Sequence, residues 1–344
     1  MRHHTIDPTN EKSIEIIKSL INQYSPLFRT NKFNICCDET FDLEGGKHKS
    51  ENVGKLYVDF VKQIISYLES KEKKVMMWGD ILLRHPEFIS ELPKDIEFLN
   101  WCYSADPDED SVRIFAETGE RQIVCPGTGS WSRLVERPSV ADDNISKMLD
   151  YGYKYNAVGM LNTNWGDYGN PCSIELAMHG IVLGAAKAWN INTMPDDDFN
   201  NSINVLEYKN SEAVKYLFML DSAQEKVNWN MLAHCYSNLT HEDKFNIVYP
   251  EKHQIEAAVL LCKTVISELT EQKWEKDEYR EEMLLAAEGI IVIAELFAKC
   301  AGYNIERIAD TSLWLKKYRQ RWLKSNKESE LCEIEKMFIS LEEA

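Results

Sequence analysis

Two kinds of hydrophobic pattern divide the chain. Up to about residue 190, short runs rich in Val, Ile, Leu and Met alternate with stretches whose apolar residues recur at helical spacing. The short runs predict five β-strands that end near residues 37, 78, 101, 126 and 161. Continuous apolar strands that alternate with helices are typical of a parallel sheet covered on both faces. A helix over 173–189 is predicted after the fifth strand.

The last part of the chain shows only helical periodicity. Four stretches with apolar stripes between residues 251 and 344 predict long helices. Thirteen of the 15 glycines precede residue 190 and no proline follows Pro250, so turns are concentrated in the first part. The stretch INTMPDDDFNNS is interpreted as a linker. We therefore predict an α/β domain over 1–192 and an all-α domain over 193–344.

Charge and composition exclude several classes of protein. A formal net charge of −17 argues against nucleic-acid binding, which needs a basic patch. No apolar stretch reaches the ~18 residues that cross a bilayer, and the N-terminus lacks the apolar core of a signal peptide. Nine scattered cysteines without a C-x-x-C motif favour reduced thiols in a cytoplasmic protein. On a strand, Cys36 and Cys37 would face opposite ways, so no metal site and no cofactor are expected.

Acidic and aromatic residues follow each of the five predicted strands. Sites in parallel α/β proteins form at the carboxyl ends of the strands, so these side chains are predicted to gather at one edge. Aromatic faces interspersed with carboxylates suit a sugar, because its C–H faces stack and its hydroxyls need acceptors. In chain order the residues are Asp38, Glu39, Trp78, Asp80, Trp101, Tyr103, Trp131, Trp165, Asp167 and Tyr168.

Each of these residues also has a purely structural interpretation. A single Trp after a strand is usually part of the core, although four at successive strand ends favour a site. The Asp38–Glu39 pair, Asp80 and Asp167 could each cap a following helix, since Asp is a common capping residue. His179 lies in an apolar helix and is interpreted as packed and not as catalytic.

Together the strand-end segments resemble glycoside hydrolase family 20, the β-N-acetylhexosaminidases. The family motif H-x-G-G-D-E aligns with residues 34–39, where the two acids match and the His and both Gly do not. Trp78 and Trp101 match tryptophans after the fifth and sixth barrel strands. The family's W-x-E matches 165–167, with Asp in place of Glu. The segments NICCDETFDL and NTNWGDYGNP look most like the intracellular streptococcal-type branch.

The resemblance implies a partial TIM (β/α)8 barrel of about five β/α units followed by an all-α domain. It implies a retaining, substrate-assisted mechanism, with the substrate's acetamido oxygen as the nucleophile. Glu39 would be general acid and then base, and Asp38 would orient the acetamido group. The substrates would be N-acetylhexosamine-terminated glycans. The remaining implied substrate contacts are Trp78, Trp101, Trp131 and Trp165 around the sugar, Asp167 at its outer hydroxyls, and Tyr103 at the acetamido oxygen.

The resemblance begins at the fourth strand of the family's barrel, and the family's substrate-binding Arg has no counterpart. The chain is therefore expected to be the C-terminal part of a longer enzyme, a homodimer when complete. Alone it is expected to aggregate or to hydrolyse little, since an open sheet leaves its edges exposed. Two alternatives stay open. One is a catalytically inactive sugar-binding or interaction remnant, and the other is a barrel hydrolase with a metal at Asp38 and Glu39.

Overall fold

The computed structural model describes residues 5–45, 47–48, 52–192, 196–241 and 244–344. The chain forms two compact units. The first consists of Met1–Pro126 and Asn144–Asn162, and the second of Gly127–Asp143 and Thr163–Ala344. Buried apolar side chains give each unit its own core.

In the described part of the first unit, five strands form one parallel sheet in the order β1-β2-β3-β4-β5. Each strand lies beside its predecessor, so the right-handed crossovers carry all the connecting helices to one face. This consecutive order is that of a (β/α)8 barrel and differs from that of a doubly wound sheet. The predicted α/β fold with a partial barrel is confirmed. The strands are β1 (Lys32–Asn34), β2 (Lys74–Trp78), β3 (Glu97–Trp101), β4 (Arg121–Cys125) and β5 (Gly159–Met160).

Helices begin where the sequence supplies a capping side chain. The side chains of Asn10, Asn52 and Asp108 accept hydrogen bonds from backbone N–H groups of the first turns of α1, α3 and α5. These caps satisfy donors that have no partner within the helix. The helices from residue 11 to 154 are α1 (Glu11–Tyr24), α2 (Phe41–Gly45), α3 (Val53–Glu69), α4 (Asp80–Arg84), α5 (Glu109–Glu117) and α6 (Pro138–Lys154).

The two faces of the sheet differ, because successive side chains of a strand point to opposite sides. Val75, Met77 and Phe98 pack under the apolar stripe of α3. On the other face Trp78 and Leu99 join Cys125 in a separate apolar cluster. Helices therefore pack on the first face, whereas the apolar cluster on the second face consists of strand side chains. In a barrel the second face is the interior, and side chains fill it.

The first strand is shorter than predicted. β1 ends at Asn34, although the amide of Ile35 still donates to Met76 O at 2.9 Å. Cys36 and Cys37 adopt left-handed backbone conformations and leave the strand. The prediction that these two cysteines alternate on a strand was wrong, because a positive φ ends the pleat. The other four strands end within one residue of the predicted positions.

The second unit is mostly helical, as predicted. Its central helix, α12, is buried along most of its length, including Ile290, Ile293 and Phe297. Within the described ranges, no helix is both long and apolar enough to span a membrane. The helices are α7 (Met178–Trp189), α8 (Asp196–Ile203), α9 (Ala213–Gln224), α10 (Trp229–Thr240), α11 (Lys252–Thr270), α12 (Asp277–Cys300), α13 (Thr311–Ser325) and α14 (Leu331–Glu343).

The stretch interpreted as a linker is in part a helix. α8 begins with three aspartates, Asp196, Asp197 and Asp198, in its first turn. Negative side chains there stabilise a helix through its dipole. Phe199 and Ile203 are buried on one face of α8 and fix it to the unit. Residues 193–195 of the same stretch lie outside the described residues.

Candidate active site

The carboxylate pair lies on a turn directly after β1. Cys36, Cys37 and Glu39 have φ values of 59°, 65° and 52°. This left-handed region is uncommon for residues with a side chain. Cys36 and Cys37 therefore hold a backbone conformation that glycine favours, with cysteine side chains in place. Asp38 and Glu39 are both half-buried.

Three groups from neighbouring elements hold this turn. The Trp78 amide at the end of β2 donates to Cys36 O at 3.0 Å, and the Tyr57 hydroxyl of α3 donates to Cys37 O at 2.8 Å. The Glu39 amide donates to Asp80 Oδ2 at 3.1 Å. Left-handed conformations of side-chain-bearing residues persist where the surrounding structure fixes them, as it does here.

We expect Cys36→Gly to stabilise the protein by about 1 kcal/mol, because glycine removes the left-handed strain and loses only part of that gain to chain entropy. Cys36 is exposed, so little packing is lost with the thiol. Urea unfolding measures the change. Cys36→Ala is the matched control, since it retains the Cβ atom and should leave the midpoint nearly unchanged. Equal urea midpoints for Cys36→Gly and Cys36→Ala would show that the left-handed backbone at residue 36 is not strained.

Asp80 takes part in this site, although the sequence leaves it equally compatible with a helix cap. It is the first residue of α4, and its Oδ2 accepts the Glu39 amide from 41 residues away. Burial is the main cause that raises the pKa of Asp80, and the negative charge of Asp38 adds to it. The nearest sequence signal is the position of Asp80 two residues after a strand end, which does not distinguish a cap from a long-range contact.

Three of the predicted aromatic residues belong to the same unit as the carboxylates. Trp78 is only 5% exposed and packs with Leu99 and Cys125. Trp101 is half-buried beside that cluster, and its ring stacks on Tyr103 with centroids 5.2 Å apart. The first unit therefore brings together Asp38, Glu39, Trp78, Trp101 and Tyr103 at the carboxyl ends of β1, β2 and β3.

The remaining four residues predicted at strand ends belong to the second unit, namely Trp131, Trp165, Asp167 and Tyr168. Trp131 is half-buried, whereas Trp165 is 38% exposed and Asp167 is exposed. Burial raises the pKa of the Asp167 carboxyl although the residue as a whole is exposed. Their two loops are joined by a parallel bridge between Gly127 and Thr163. The second unit therefore holds Trp131, Trp165 and Asp167 on adjacent loops.

A cluster of small polar side chains in the second unit was not predicted. Thr128 and Ser130 are buried, and both hydroxyls donate to Asn164 Oδ1, Thr128 at 2.9 Å. Asn164 directly precedes Trp165, so the cluster fixes the backbone that carries this tryptophan. Hydroxyl and amide residues occur in most turns, and the sequence gives no signal that these three meet.

The loop that carries Trp131 is anchored by buried charges. Arg133 Nη2 lies 2.6 Å from Asp221 Oδ1 of α9, and both side chains are at least nine-tenths buried. Ser139 donates to the second Asp221 oxygen at 2.7 Å. Glu136 is fully buried and accepts the backbone amides of His179 and Gly180 at 3.0 and 2.9 Å. Burial raises the pKa of Glu136 well above its usual range.

We expect Asp221→Ala to destabilise the protein by about 2–3 kcal/mol, because it leaves the buried Nη2 of Arg133 without its carboxylate, while Glu225 Oε1 still pairs with Nη1 at 2.6 Å. Urea unfolding gives the change in the free energy of unfolding. Glu288→Ala is the control, since Glu288 pairs with Lys317 at a largely exposed position and should contribute less than about 1 kcal/mol. If Asp221→Ala and Glu288→Ala lowered the free energy of unfolding by similar amounts, Arg133 would not be held by Asp221.

His179 is packed, as interpreted from the sequence. It is fully buried, its Nε2 lies 2.8 Å from Asn200 Oδ1, and burial lowers the pKa of its imidazole. Among the described residues, no group of three or more His, Cys, Asp or Glu side chains could hold a metal ion. All nine cysteines have free thiols.

Neither a protein-family model nor a curated protein matches the sequence. Several solved structures are similar to the chain, and three of them are described here by sequence identity, TM-score and coverage. For a β-N-acetylhexosaminidase from Bacteroides fragilis, identity is 14% and the TM-score 0.42, covering 57% of this chain and 43% of that one. A chitobiase from Flavobacterium johnsoniae is 12% identical with a TM-score of 0.39, and the match covers 94% of this chain and 57% of that one. An O-GlcNAc hydrolase variant from Thermobaculum terrenum is 11% identical with a TM-score of 0.28, and the match covers 91% of this chain and 76% of that one. The chain thus spans less than two thirds of the first two proteins.

Proposed function

We propose that the protein is a glycoside hydrolase that removes terminal β-linked N-acetylglucosamine or N-acetylgalactosamine from glycans. The observation that carries this proposal is the Asp38–Glu39 pair on a turn held from three sides, with Trp78 and Trp101 after the next two strands. Aromatic rings stack on the apolar faces of sugars, and carboxylates accept their hydroxyls. The first unit presents both kinds of group at one edge of the sheet.

In the proposed reaction Glu39 protonates the glycosidic oxygen while the substrate's acetamido oxygen attacks the anomeric carbon. The bond to the leaving group breaks and an oxazolinium ring forms. Asp38 stabilises the positive charge that develops on the acetamido nitrogen. Glu39 then takes a proton from water, which opens the ring with net retention. We assign Tyr103 to the acetamido oxygen. The roles of Trp131 and Trp165 around the sugar and of Asp167 at O4 or O6 stay predictions from the sequence.

The test is hydrolysis by the purified chain of aryl N-acetyl-β-glucosaminide, aryl N-acetyl-β-galactosaminide and aryl β-glucoside. Turnover of an N-acetyl substrate at about 1–10³ per second that is absent with the β-glucoside and falls in Asp38→Asn would support the proposal. Equal turnover of the β-glucoside would exclude substrate assistance.

A second candidate, sugar binding without hydrolysis, is favoured by a groove beside the carboxylates. Asp38 lines a mostly apolar groove of about 510 Å³ formed with residues of α1, β1 and α3, including Tyr24 and Phe33. Water in such an opening weakens the electrostatic stabilisation that a closed site provides. Calorimetric binding of N-acetylglucosamine that Trp101→Ala abolishes, without turnover by the wild type, would support this candidate.

A further inference from the structure

Asp80 differs from the other two groups that hold the Cys36–Glu39 turn. The Trp78 amide and the Tyr57 hydroxyl bind backbone carbonyls, whereas Asp80 binds the amide of Glu39 itself. It is also the one of the three whose bonding group ionises at ordinary assay pH. A hydrogen bond to an ionised carboxylate is roughly twice as strong as a neutral one.

Among the described residues, the second carboxylate oxygen of Asp80 finds no hydrogen-bond partner. Asp80 Oδ1 is buried and makes no hydrogen bond with any residue that the structure describes. Buried carboxylate oxygens are normally hydrogen-bonded, and an exception calls for an explanation. A carboxyl that uses one oxygen on the Glu39 amide and leaves the other unpaired is suited to take up a proton at the unpaired oxygen.

The groups that face Asp80 come from three elements. Asp38 and Cys37 face it from the turn, Tyr57 from α3, and Arg84 from its own helix. Burial raises the pKa of Cys37 to about 12 and that of Tyr57 well above its usual range, so neither is charged near neutral pH. Burial and the Asp38 charge raise the pKa of Asp80, while the Glu39 amide, the backbone amide of Asp80 itself and Arg84 act in the opposite direction.

We propose that Asp80 is a positioning residue for Glu39, which it holds through the backbone amide only while its carboxylate is ionised. The inference rests on the proposed function, in which Glu39 is the general acid and base. When Asp80 takes up a proton, the bond to the Glu39 amide weakens and the Glu39 carboxyl loses its fixed direction. Because the pKa of Asp80 is raised, this occurs at a higher pH than for an ordinary Asp. As the pH falls, activity is therefore lost at a higher pH than it would be with an ordinary Asp at this position.

The test compares the pH profiles of kcat/KM for Asp80→Asn, Asp80→Ala and the wild type on an aryl N-acetyl-β-glucosaminide. Asp80→Asn retains an acceptor oxygen and should lower kcat about tenfold, roughly the value of one charge-assisted bond. Asp80→Ala should lower kcat about 10²-fold through misplacement of Glu39. Asp80→Asn should also move the acid limb to lower pH. Asp59→Asn, at an exposed position on α3, is the control and should match the wild type.

A purely structural role would lower the unfolding temperature and leave the acid limb in place, and that result would overturn the proposal. An NMR measurement tests the role of Asp80 independently of the proposed function, because the measurement needs no turnover. In the Glu39→Gln variant, the chemical shift of the residue-39 amide proton should follow a titration that the added Asp80→Asn substitution abolishes. Identical titration curves with and without Asp80→Asn would overturn the proposal, whether or not the wild type hydrolyses a sugar.

Discussion

Glu39→Gln should lower the rate of cleavage of an N-acetylglucosamine disaccharide by about 10²–10⁴-fold, the usual contribution of a positioned general acid. A sugar leaving group is a poor one and needs the proton that Glu39 supplies. Glutamine preserves the size of the side chain, and the backbone amide of residue 39 can still donate to Asp80. The fall in rate therefore measures the contribution of the proton that Glu39 supplies. Steady-state kinetics on the disaccharide gives the change in kcat/KM.

The leaving group provides an internal control for this variant. A nitrophenyl glycoside leaves with little protonation, so its first step should slow much less in Glu39→Gln than that of the disaccharide. Glu44→Gln is the matched control, because Glu44 is exposed on α2 and lies five residues further along the chain. Unchanged disaccharide turnover in Glu39→Gln would remove Glu39 from the mechanism.

Asp38→Asn should lower kcat by about 10²–10³-fold, by analogy with removal of one group that stabilises charge in the transition state. Its carboxylate faces full positive charge only as the oxazolinium forms. The variant should therefore change KM far less than kcat. Rates with an N-acetyl substrate and with its 2-hydroxy counterpart measure the effect.

Inhibition tests the same step independently. A thiazoline analogue of the oxazolinium ring should inhibit the wild type and bind more weakly to Asp38→Asn. Asp106→Asn is the matched control, since the Asp106 side chain is 88% exposed and pairs with Lys147 at a partly exposed position. If the N-acetyl and 2-hydroxy substrates were cleaved equally well, the role of Asp38 would be excluded.

The sheet could be predicted because its signal is local. The run from Val75 to Trp78 is continuously apolar and the run from Ile96 to Trp101 is mostly so, and their strands end at the predicted residues. Burial on both faces makes such runs stand out from amphipathic helices. α8 was not predicted, because its stretch was interpreted as a linker. Its three aspartates followed by Phe199 are nevertheless typical of the start of a helix.

The details of the site could not be predicted, because they depend on contacts between distant residues. Cysteine has no preference for a positive φ, so neither Cys36 nor Cys37 signals the left-handed turn. Asp80 bonds to Glu39 across 41 residues, and Asn164 bonds to Thr128 across 36. Hydrophobic patterning reports which face of an element is buried, but it does not pair polar side chains between elements.

The anchored loop that carries Trp131 has a consequence for local motion. The amide of Leu134 donates to Gln224 Oε1 at 3.1 Å, and that of Glu136 donates to Leu176 O at 3.2 Å. The loop cannot open without separating the buried guanidinium of Arg133 from both of its carboxylates, Asp221 and Glu225. Loops usually exchange their amide hydrogens through small local fluctuations, whereas core helices exchange only on larger opening. We therefore expect Leu134 and Glu136 to exchange as slowly as the amides of α9, so that Trp131 sits on a loop with the rigidity of a core helix.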